Sequence, residues 1–251
     1  MAQLARTWKN VLFNPKDGFK EINENTRIFV PIIIVLVISL IAVSIMIPII
    51  TSRIYLQKSV AIQLAKMGKN AATSAVEQAN KSVESKTTKI IAISGAYIGS
   101  IVTYLLIFYA GALVLFLLVK IFKGGNVSYK LLLRIVIFAA LITAFQGLIK
   151  VLIVYFSDWQ SAVAASTTMS DLKSAIQAPL SLAVFLDSQT AGKVLYFIVD
   201  YFTDIFTIIY FVFIHYGLVS AGRITKDKSI GITIVYALFS ALPGFIPALL
   251  M

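Results

Sequence analysis

Five long apolar stretches constrain this chain more than any other feature of its sequence. Each is about 21 to 30 residues long, and about 20 apolar residues in a helix cross the roughly 30 Å hydrocarbon core of a bilayer. Only helices and closed barrels satisfy every backbone polar group in lipid, and continuous apolar runs lack the alternation of barrel strands. The sequence therefore predicts an all-α, polytopic membrane protein with five transmembrane helices. The predicted spans are Val30–Thr51, Ile90–Val119, Leu131–Phe156, Val194–Val219 and Gly231–Met251.

Composition and length agree with a single membrane domain. Hydrophobic residues make up 59% of the 251 residues and charged residues only 13%, which is about half the charged fraction of a typical soluble domain. We expect a cytoplasmic tail at residues 1–28 with a short interfacial helix, followed by a five-helix membrane domain at residues 29–251. The first apolar run lacks a cleavage motif and is interpreted as a retained helix rather than a signal peptide.

The basic residues in the connections predict the orientation of the chain. Twelve lysines and arginines lie in the N-terminal tail and in the second and fourth connections, against nine in the first and third. Short connections weigh most in the positive-inside rule, so we expect the N-terminus in the cytoplasm and the C-terminus outside. The net charge of +11 is interpreted as membrane anchoring and not as nucleic-acid binding.

The first connection, residues 52–89, is predicted to be a long amphipathic helix outside the membrane. Its apolar residues recur mostly in steps of four between Leu56 and Val83, and most of its lysines lie off that stripe. Three interpretations stay open. The helix packs on its neighbours or on a second copy, it lies on anionic lipid headgroups, or it docks another protein.

The third connection, residues 157–193, contains an apolar run that is too short to cross the membrane. This run, Leu180–Leu186, follows Pro179 and predicts a half-helix at the interface or a strap across the outer mouth of the bundle. A loop of this length is usually ordered or functional. An ordered surface loop and a lid or partner site are the two alternatives.

Two glycines on the second predicted helix mark a site of close helix packing. Gly95 and Gly99 are four residues apart and lie on one helix face, and glycines at this spacing allow another backbone to approach closely. The partner is either another helix of the same chain or, alternatively, a second copy.

Ionisable and polar residues inside spans are expensive and therefore informative. Asp200, Asp204 and His215 share a face of the fourth predicted helix, and Gln146 and Lys150 lie one turn apart on the third. Because these helices are antiparallel, Lys150 is level with Asp200, and Gln146 is level with Asp204. We predict an ion pair in the first case and a hydrogen bond in the second, since an unpaired charge at that depth costs several kcal/mol. The network is either structural or a path for protons or cations.

The sequence predicts no catalytic residue, no cofactor site and no metal site. It has no cysteine, no nucleotide-binding P-loop, no zinc-protease motif and no serine-hydrolase motif. His215 lies about 16 Å along the helix axis from Asp204 at 1.5 Å per residue, which is too far for a shared metal. The chain is therefore interpreted as a non-enzymatic protein.

The N-terminal tail carries a further pattern. Asn14-Pro15 is a helix start, and the short helix from Pro15 to about residue 23 would present Phe19 and Ile22 to the membrane or to the bundle. Trp8 is a candidate interfacial anchor.

This tail, the five spans and the Gly124-Gly125 turn before a third helix with basic residues at its start resemble the YIP1 family of small membrane proteins. The eukaryotic Asp-Leu-Tyr-Gly-Pro motif is missing, so the resemblance implies the bacterial branch and location in the bacterial plasma membrane. Some of its members are similar to accessory subunits of ABC exporters.

Two functions follow as alternatives. The first is a membrane scaffold or accessory subunit that binds another membrane protein, with an ABC exporter as the partner that the resemblance implies. The second is a small transporter or channel that uses Asp204 and Lys150. The expected partners are the lipid bilayer and either a membrane protein or a second copy of the chain, with no nucleic acid.

Overall fold

A computed structural model describes residues 2–66, 85–186 and 191–250. The described residues are predominantly helical and contain no β-strand. The helices are α1 (Ala2–Phe13), α2 (Pro15–Gly18), α3 (Phe29–Ile50), α4 (Arg53–Lys66), α5 (Lys86–Ile121), α6 (Tyr129–Phe156), α7 (Trp159–Ala165), α8 (Met169–Ser174), α9 (Lys193–Thr203), α10 (Ile205–Ser220) and α11 (Lys226–Leu250). Short 3-10 helices form at Phe19–Glu21 and Leu182–Phe185.

The all-α membrane architecture predicted from the apolar runs is confirmed. Four described helices, α3, α5, α6 and α11, are long and apolar enough to cross a membrane, and α9 with α10 makes a fifth if the pair is one span. The fourth span is not the continuous helix that the sequence predicts. It breaks at Asp204, and its two halves are bent by 53°.

The described chain divides into two compact units, and the division falls within α3, α5 and α6. Unit 1 comprises Met1–Val37, Thr103–Gln146 and Pro179–Met251. Unit 2 comprises Ile38–Val102 and Gly147–Ala178.

The core of unit 1 lies along the first half of α6. Nearly every side chain from Leu132 to Ala144 is buried, which explains why this helix is apolar on all faces. Gly217 on α10 lies against Ile135 so closely that a Cβ at this position would overlap the isoleucine side chain. The small residue therefore sets how near α10 and α6 approach each other.

The N-terminal segment is part of the unit 1 bundle. Trp8 lies on Phe138 of α6 with ring centroids 5.3 Å apart, and the fully buried Phe19 meets Phe213 of α10 edge to face at 6.2 Å. The aromatic residues of the tail thus face the bundle, which is one of the two alternatives that the sequence left open. The helix expected from Pro15 to about residue 23 is a single α-helical turn followed by a 3-10 turn.

The carboxylate of Glu21 connects the 3-10 turn of this segment to α1 through hydrogen bonds. Glu21 accepts hydrogen bonds from Thr7 Oγ1 (2.7 Å) and Asn10 Nδ2 (2.8 Å). These bonds, of which the one from Thr7 has the largest effect, stabilise the charged carboxylate. They hold the pKa of Glu21 below its ordinary value. Gly18 lies so near the backbone of Val11 that a Cβ there would overlap it, so α1 and α2 cross without a side chain between them.

Unit 2 holds the helices of the first and third connections. α4 packs against α7 and α8 through a cluster of Ile62, Val163 and Leu172. Lys58 Nζ donates a hydrogen bond to Ala164 O at 2.6 Å. This packing agrees with the interpretation of the 52–89 insertion as a helix held by its neighbours, as far as Lys66; its residues 67–84 lie outside the described part of the chain.

Candidate intramembrane binding site

A cavity of about 500 Å³ lies inside unit 1. Parts of α5, α6, α9, α10 and α11 form its walls, and its volume is within the range of roughly 300–1,000 Å³ that is common for small-molecule sites. The residues that line it are Leu106, Ile107, Ala110, Gly111, Val114, Thr143, Gln146, Tyr201, Thr207, Tyr210, Phe211, Tyr236, Phe239, Ser240 and Pro243.

The mouth of the cavity lies between α5 and α11. Leu106 on α5 is 61% exposed and Phe239 on α11 is 51% exposed, whereas Tyr236, which also lines the cavity, is only 4% exposed. Ala110 and Pro243 beside them are exposed as well. Both helices are candidate membrane spans, so the mouth between them faces the hydrocarbon of the bilayer.

Hydroxyl groups are arranged in two pairs around the cavity. Tyr210 and Tyr236 are joined through their hydroxyls at 3.0 Å, and the Tyr201 hydroxyl lies 2.8 Å from Ser240 Oγ. Ser240 Oγ also donates to the Tyr236 carbonyl of its own helix at 2.9 Å. Because a serine hydroxyl has one proton, Tyr201 is the donor in the bond to Ser240.

The cavity presents uncharged chemistry. Among the described residues, no Asp, Glu, Lys, Arg or His lines it, and Gln146, Thr143 and Thr207 supply an amide and two hydroxyls. A bare ion would find no countercharge on these walls, and burying one would cost several kcal/mol. The described chain likewise holds no cluster of three or more potential metal ligands. The site suits a molecule with an apolar body and uncharged hydrogen-bonding groups.

The break in the fourth span is built around Asp204. Its backbone is extended (φ −64°, ψ 121°), and its side chain is 1% exposed. Asp204 Oδ1 accepts hydrogen bonds from the backbone N–H groups of Phe206 (2.9 Å) and Thr207 (3.1 Å). The carboxylate is therefore the N-cap of α10, which satisfies two of the donors that the start of a helix leaves without partners.

The strap, residues 180–186, supplies further partners at the break. The backbone N–H of Leu182 donates to Thr203 Oγ1 at 2.9 Å. The backbone N–H of Ile205 donates to the Leu180 carbonyl at 3.3 Å. The apolar run that was predicted to be a half-helix or a strap is thus a 3-10 turn beside α9, and it provides hydrogen bonds that an interrupted helix needs in lipid.

Polar residues of the predicted network lie at the cavity, near the break in the fourth span and on α6. Gln146 lines the cavity, Asp204 caps α10, and Asp200 accepts a hydrogen bond from Ser181 Oγ of the strap at 2.7 Å. Lys150 is half-buried on the part of α6 that belongs to unit 2. The Lys150–Asp200 ion pair and the Gln146–Asp204 hydrogen bond stay predictions.

His215 lies at a contact between α10 and α11. The fully buried Ser229 of α11 places its hydroxyl 2.9 Å from His215 Nδ1 and 3.2 Å from the His215 carbonyl oxygen. This histidine therefore helps to join two helices, and its part in a proton path stays a prediction.

The face of α5 that carries Gly95 and Gly99 is open. Among the described residues, and apart from the helix's own backbone nearby, no atom lies within 4 Å of a Cβ built on either glycine. The packing partner predicted for these glycines stays a prediction. The open face leaves space for a helix from outside the described chain.

Sequence reasoning missed the tyrosines of the cavity. Tyr201, Tyr210 and Tyr236 lie well inside the apolar runs, whereas tyrosines of membrane proteins concentrate at the two interfaces. A buried tyrosine hydroxyl usually has a hydrogen-bond partner. Tyrosines at mid-span together with Ser240 were therefore a signal of a polar-lined site.

A family model described as Yip1 domain matches residues 9–246 of the chain. The match runs from α1 into α11, so it includes every helix that lines the cavity and both sides of the break at Asp204. No curated protein and no solved structure matches the chain.

Proposed function

The chain belongs to the YIP1 family of membrane proteins, and on this premise we propose that it is a non-enzymatic protein that binds a lipid-like molecule in its intramembrane cavity. This proposal differs from the small transporter or channel that the sequence analysis kept as an alternative, because neither Asp204 nor Lys150 lines the cavity. The observation that carries it is the cavity of about 500 Å³ with its mouth between α5 and α11. A ligand reaches such a mouth from the bilayer. Its apolar part contacts the apolar side chains of the walls, and its polar groups contact the tyrosine hydroxyls and Gln146.

The broken fourth span supports a carrier of small molecules over a purely structural scaffold. Interrupted helices are common at the binding sites of membrane transporters, where the break lines the site. Here Tyr201 precedes the break and Thr207 follows it, and both line the cavity. The break thus belongs to the wall of the proposed binding site.

A photoreactive diacylglycerol, which has an apolar body and uncharged polar groups, tests this proposal in proteoliposomes. The wild-type chain should be labelled at peptides of α5 and α11, and Ala110→Trp should abolish this labelling because Ala110 lines the mouth. Leu113→Trp is the matched control, since Leu113 is 51% exposed on the same helix and does not line the cavity. Equal labelling of the two variants, or labelling spread over all exposed helices, would refute the proposal.

A second candidate function is that of an accessory subunit for another membrane protein, such as an ABC exporter. The observation that favours it is the open face at Gly95 and Gly99, where a partner helix can approach closely. Gly95→Leu should abolish copurification of a stoichiometric partner at native expression. Gly147→Leu is the control, because the space beside Gly147 is equally open. Retention of the partner by Gly95→Leu would exclude this face as the interface.

We further propose that the protein resides in the bacterial plasma membrane with its N-terminus in the cytoplasm. The absence of cysteine from the sequence allows single cysteines to be introduced one at a time. An impermeant thiol reagent added to whole cells should label Ser161→Cys in the third connection and should not label Lys226→Cys in the fourth. The reverse pattern would invert the orientation.

A further inference from the structure

We infer that Tyr236 donates the surplus hydroxyl proton of the Tyr210–Tyr236 pair to a carbonyl oxygen of the ligand, so that the cavity selects uncharged lipids with ester-linked chains. This inference rests on the proposed function, because it names the chemical class of the molecule that occupies the same cavity.

Three of the hydroxyl groups that line the cavity donate their protons to the protein itself. Thr143 Oγ1 donates to the Ala140 carbonyl at 2.8 Å, and Ser240 Oγ donates to carbonyl oxygens of its own helix. The Tyr201 hydroxyl in turn donates to Ser240 Oγ at 2.8 Å. Because each hydroxyl has one proton, these three groups offer a ligand lone pairs but no donor.

The Tyr210–Tyr236 pair has one proton more than its hydrogen bond uses. The two hydroxyl oxygens lie 3.0 Å apart, so one hydroxyl donates to the other and the second proton takes no part in that bond. Among the described residues, no other group accepts a hydrogen bond from either hydroxyl. The side chains of Tyr210 and Tyr236 are only 6% and 4% exposed, and a buried donor without a partner is costly. The acceptor for this proton therefore comes from the molecule that occupies the cavity.

The position of Gly111 assigns the surplus proton to Tyr236. A Cβ built on this glycine of α5 would lie 2.6 Å from the Tyr236 hydroxyl oxygen, so the hydroxyl reaches the α5 wall because the residue there has no side chain. The neighbouring Ala110 is exposed at the mouth through which a ligand enters. Tyr210 lies on α10, which does not border the mouth. Tyr236 is thus the tyrosine nearer the entering ligand, and Tyr210 is the donor within the pair.

An ester carbonyl is the acceptor that suits this donor. A carbonyl oxygen presents its lone pairs in the plane of the group and accepts a hydrogen bond well, whereas an ether oxygen is a weaker acceptor. The cavity walls, as far as the structure describes them, carry no charge, so a charged headgroup would lose its hydration without compensation. A diacylglycerol has ester carbonyls and no charge. The amide of Gln146, which both donates and accepts, suits the hydroxyl of such a lipid.

Two photoreactive probes that differ only in their chain linkage test this inference. A diacylglycerol and a dialkylglycerol carry the same diazirine at the same position of the chain, and each is titrated against the full chain in proteoliposomes. The wild type should bind the diester about fivefold more tightly than the diether, because one net hydrogen bond separates the two probes. The ratio of two affinities measured on one protein is unchanged by a loss of folded protein, so it reports selectivity alone.

Matched substitutions assign the preference to one hydroxyl. Tyr236→Phe should abolish the preference for the diester, whereas Tyr210→Phe should keep most of it, because Tyr236 still has its own proton to donate. A purely structural role of the two tyrosines would not separate these variants. Gly111→Ala should lower the preference, because its methyl group would displace the Tyr236 hydroxyl. Gly99→Ala is the control, since a Cβ at Gly99 of the same helix meets open space.

The outcomes separate failure of this inference from failure of the proposed function. Equal affinity of the wild type for the two probes, with labelling at α5 and α11, would overturn the inference and leave the proposed function intact. Absence of labelling at these helices by either probe would refute the proposed function and the inference together. A preference that survives in Tyr236→Phe, or one that is lost in Tyr210→Phe alone, would overturn the assignment of the donor to Tyr236.

Discussion

Replacement of Asp204 by alanine is expected to destabilise the folded protein by about 2 kcal/mol. The carboxylate is 1% exposed and accepts two backbone hydrogen bonds, from Phe206 and Thr207. Loss of an N-cap costs about 0.5–2 kcal/mol, and a buried donor left without a partner costs about 1–3 kcal/mol. Because both donors lie at a break inside a membrane span, the upper end of the capping range applies. The folding equilibrium should shift by roughly thirtyfold.

Asparagine at the same position separates capping from charge. Asp204→Asn keeps a side-chain oxygen, and asparagine and aspartate are about equally good N-caps, so its cost should stay within about 0.5 kcal/mol. Asp158→Ala serves as a control in the third connection, since Asp158 caps α7 through a longer bond of 3.3 Å to Ser161 and is exposed. It should cost nearer the lower limit of about 0.5 kcal/mol.

The assay is reversible unfolding in mixed micelles, followed by tryptophan fluorescence. Trp8 and Trp159 lie in units 1 and 2, respectively, and report the two units. Equal losses for Asp204→Asn and Asp204→Ala would refute the capping role. Such a result would show that the negative charge matters, as the predicted polar network requires.

Two further predictions concern a helix contact and an acid-sensitive segment. Gly217→Ala should destabilise the folded protein by about 1–3 kcal/mol, because the added methyl group overpacks against Ile135. Gly147→Ala meets open space and should be neutral or stabilise the protein by up to about 1 kcal/mol. Equal effects of the two substitutions on unfolding in micelles would contradict the packing at Gly217. The lowered pKa of Glu21 contributes stability that is complete above its ordinary value of 4.5 and is lost as the pH falls through the lower folded value. Amide exchange in the N-terminal segment should therefore increase below pH 4.5 beyond its intrinsic pH dependence, and Glu21→Gln should remove that increase; an identical acid response in both proteins would contradict the role of its bond to Thr7.

The positions of the membrane helices followed from the sequence because the bilayer acts on each segment separately. The predicted start of the first span, Val30, is one residue from the observed start of α3, and the predicted end of the third, Phe156, is the end of α6. Apolar length alone decides whether a segment can cross. The same rule missed the break at Asp204. The apolar length of a segment does not reveal a single residue whose side chain replaces a backbone hydrogen-bond partner.

The candidate site was less accessible to sequence reasoning. Gln146 and Asp204 were selected because polar groups in lipid are costly. Gln146 lines the cavity, and Asp204 lies at the break in the fourth span. Their roles were not foreseen: one lines a cavity and the other caps a helix. The spacing of residues along one helix shows which side chains share a face, but it does not show what lies opposite that face.

The sequence by itself determined that this chain is a helical membrane protein, where its apolar helices lie and which family it belongs to, since these depend on local composition and pattern. Only the tertiary structure decided that five helix segments enclose a cavity, that Tyr201 bonds to Ser240 and that residues 180–186 support a broken span. Each of these features joins groups far apart in the chain. Their positions follow from how helices pack, and the free energy of that packing is shared among many side chains and not carried by any one motif.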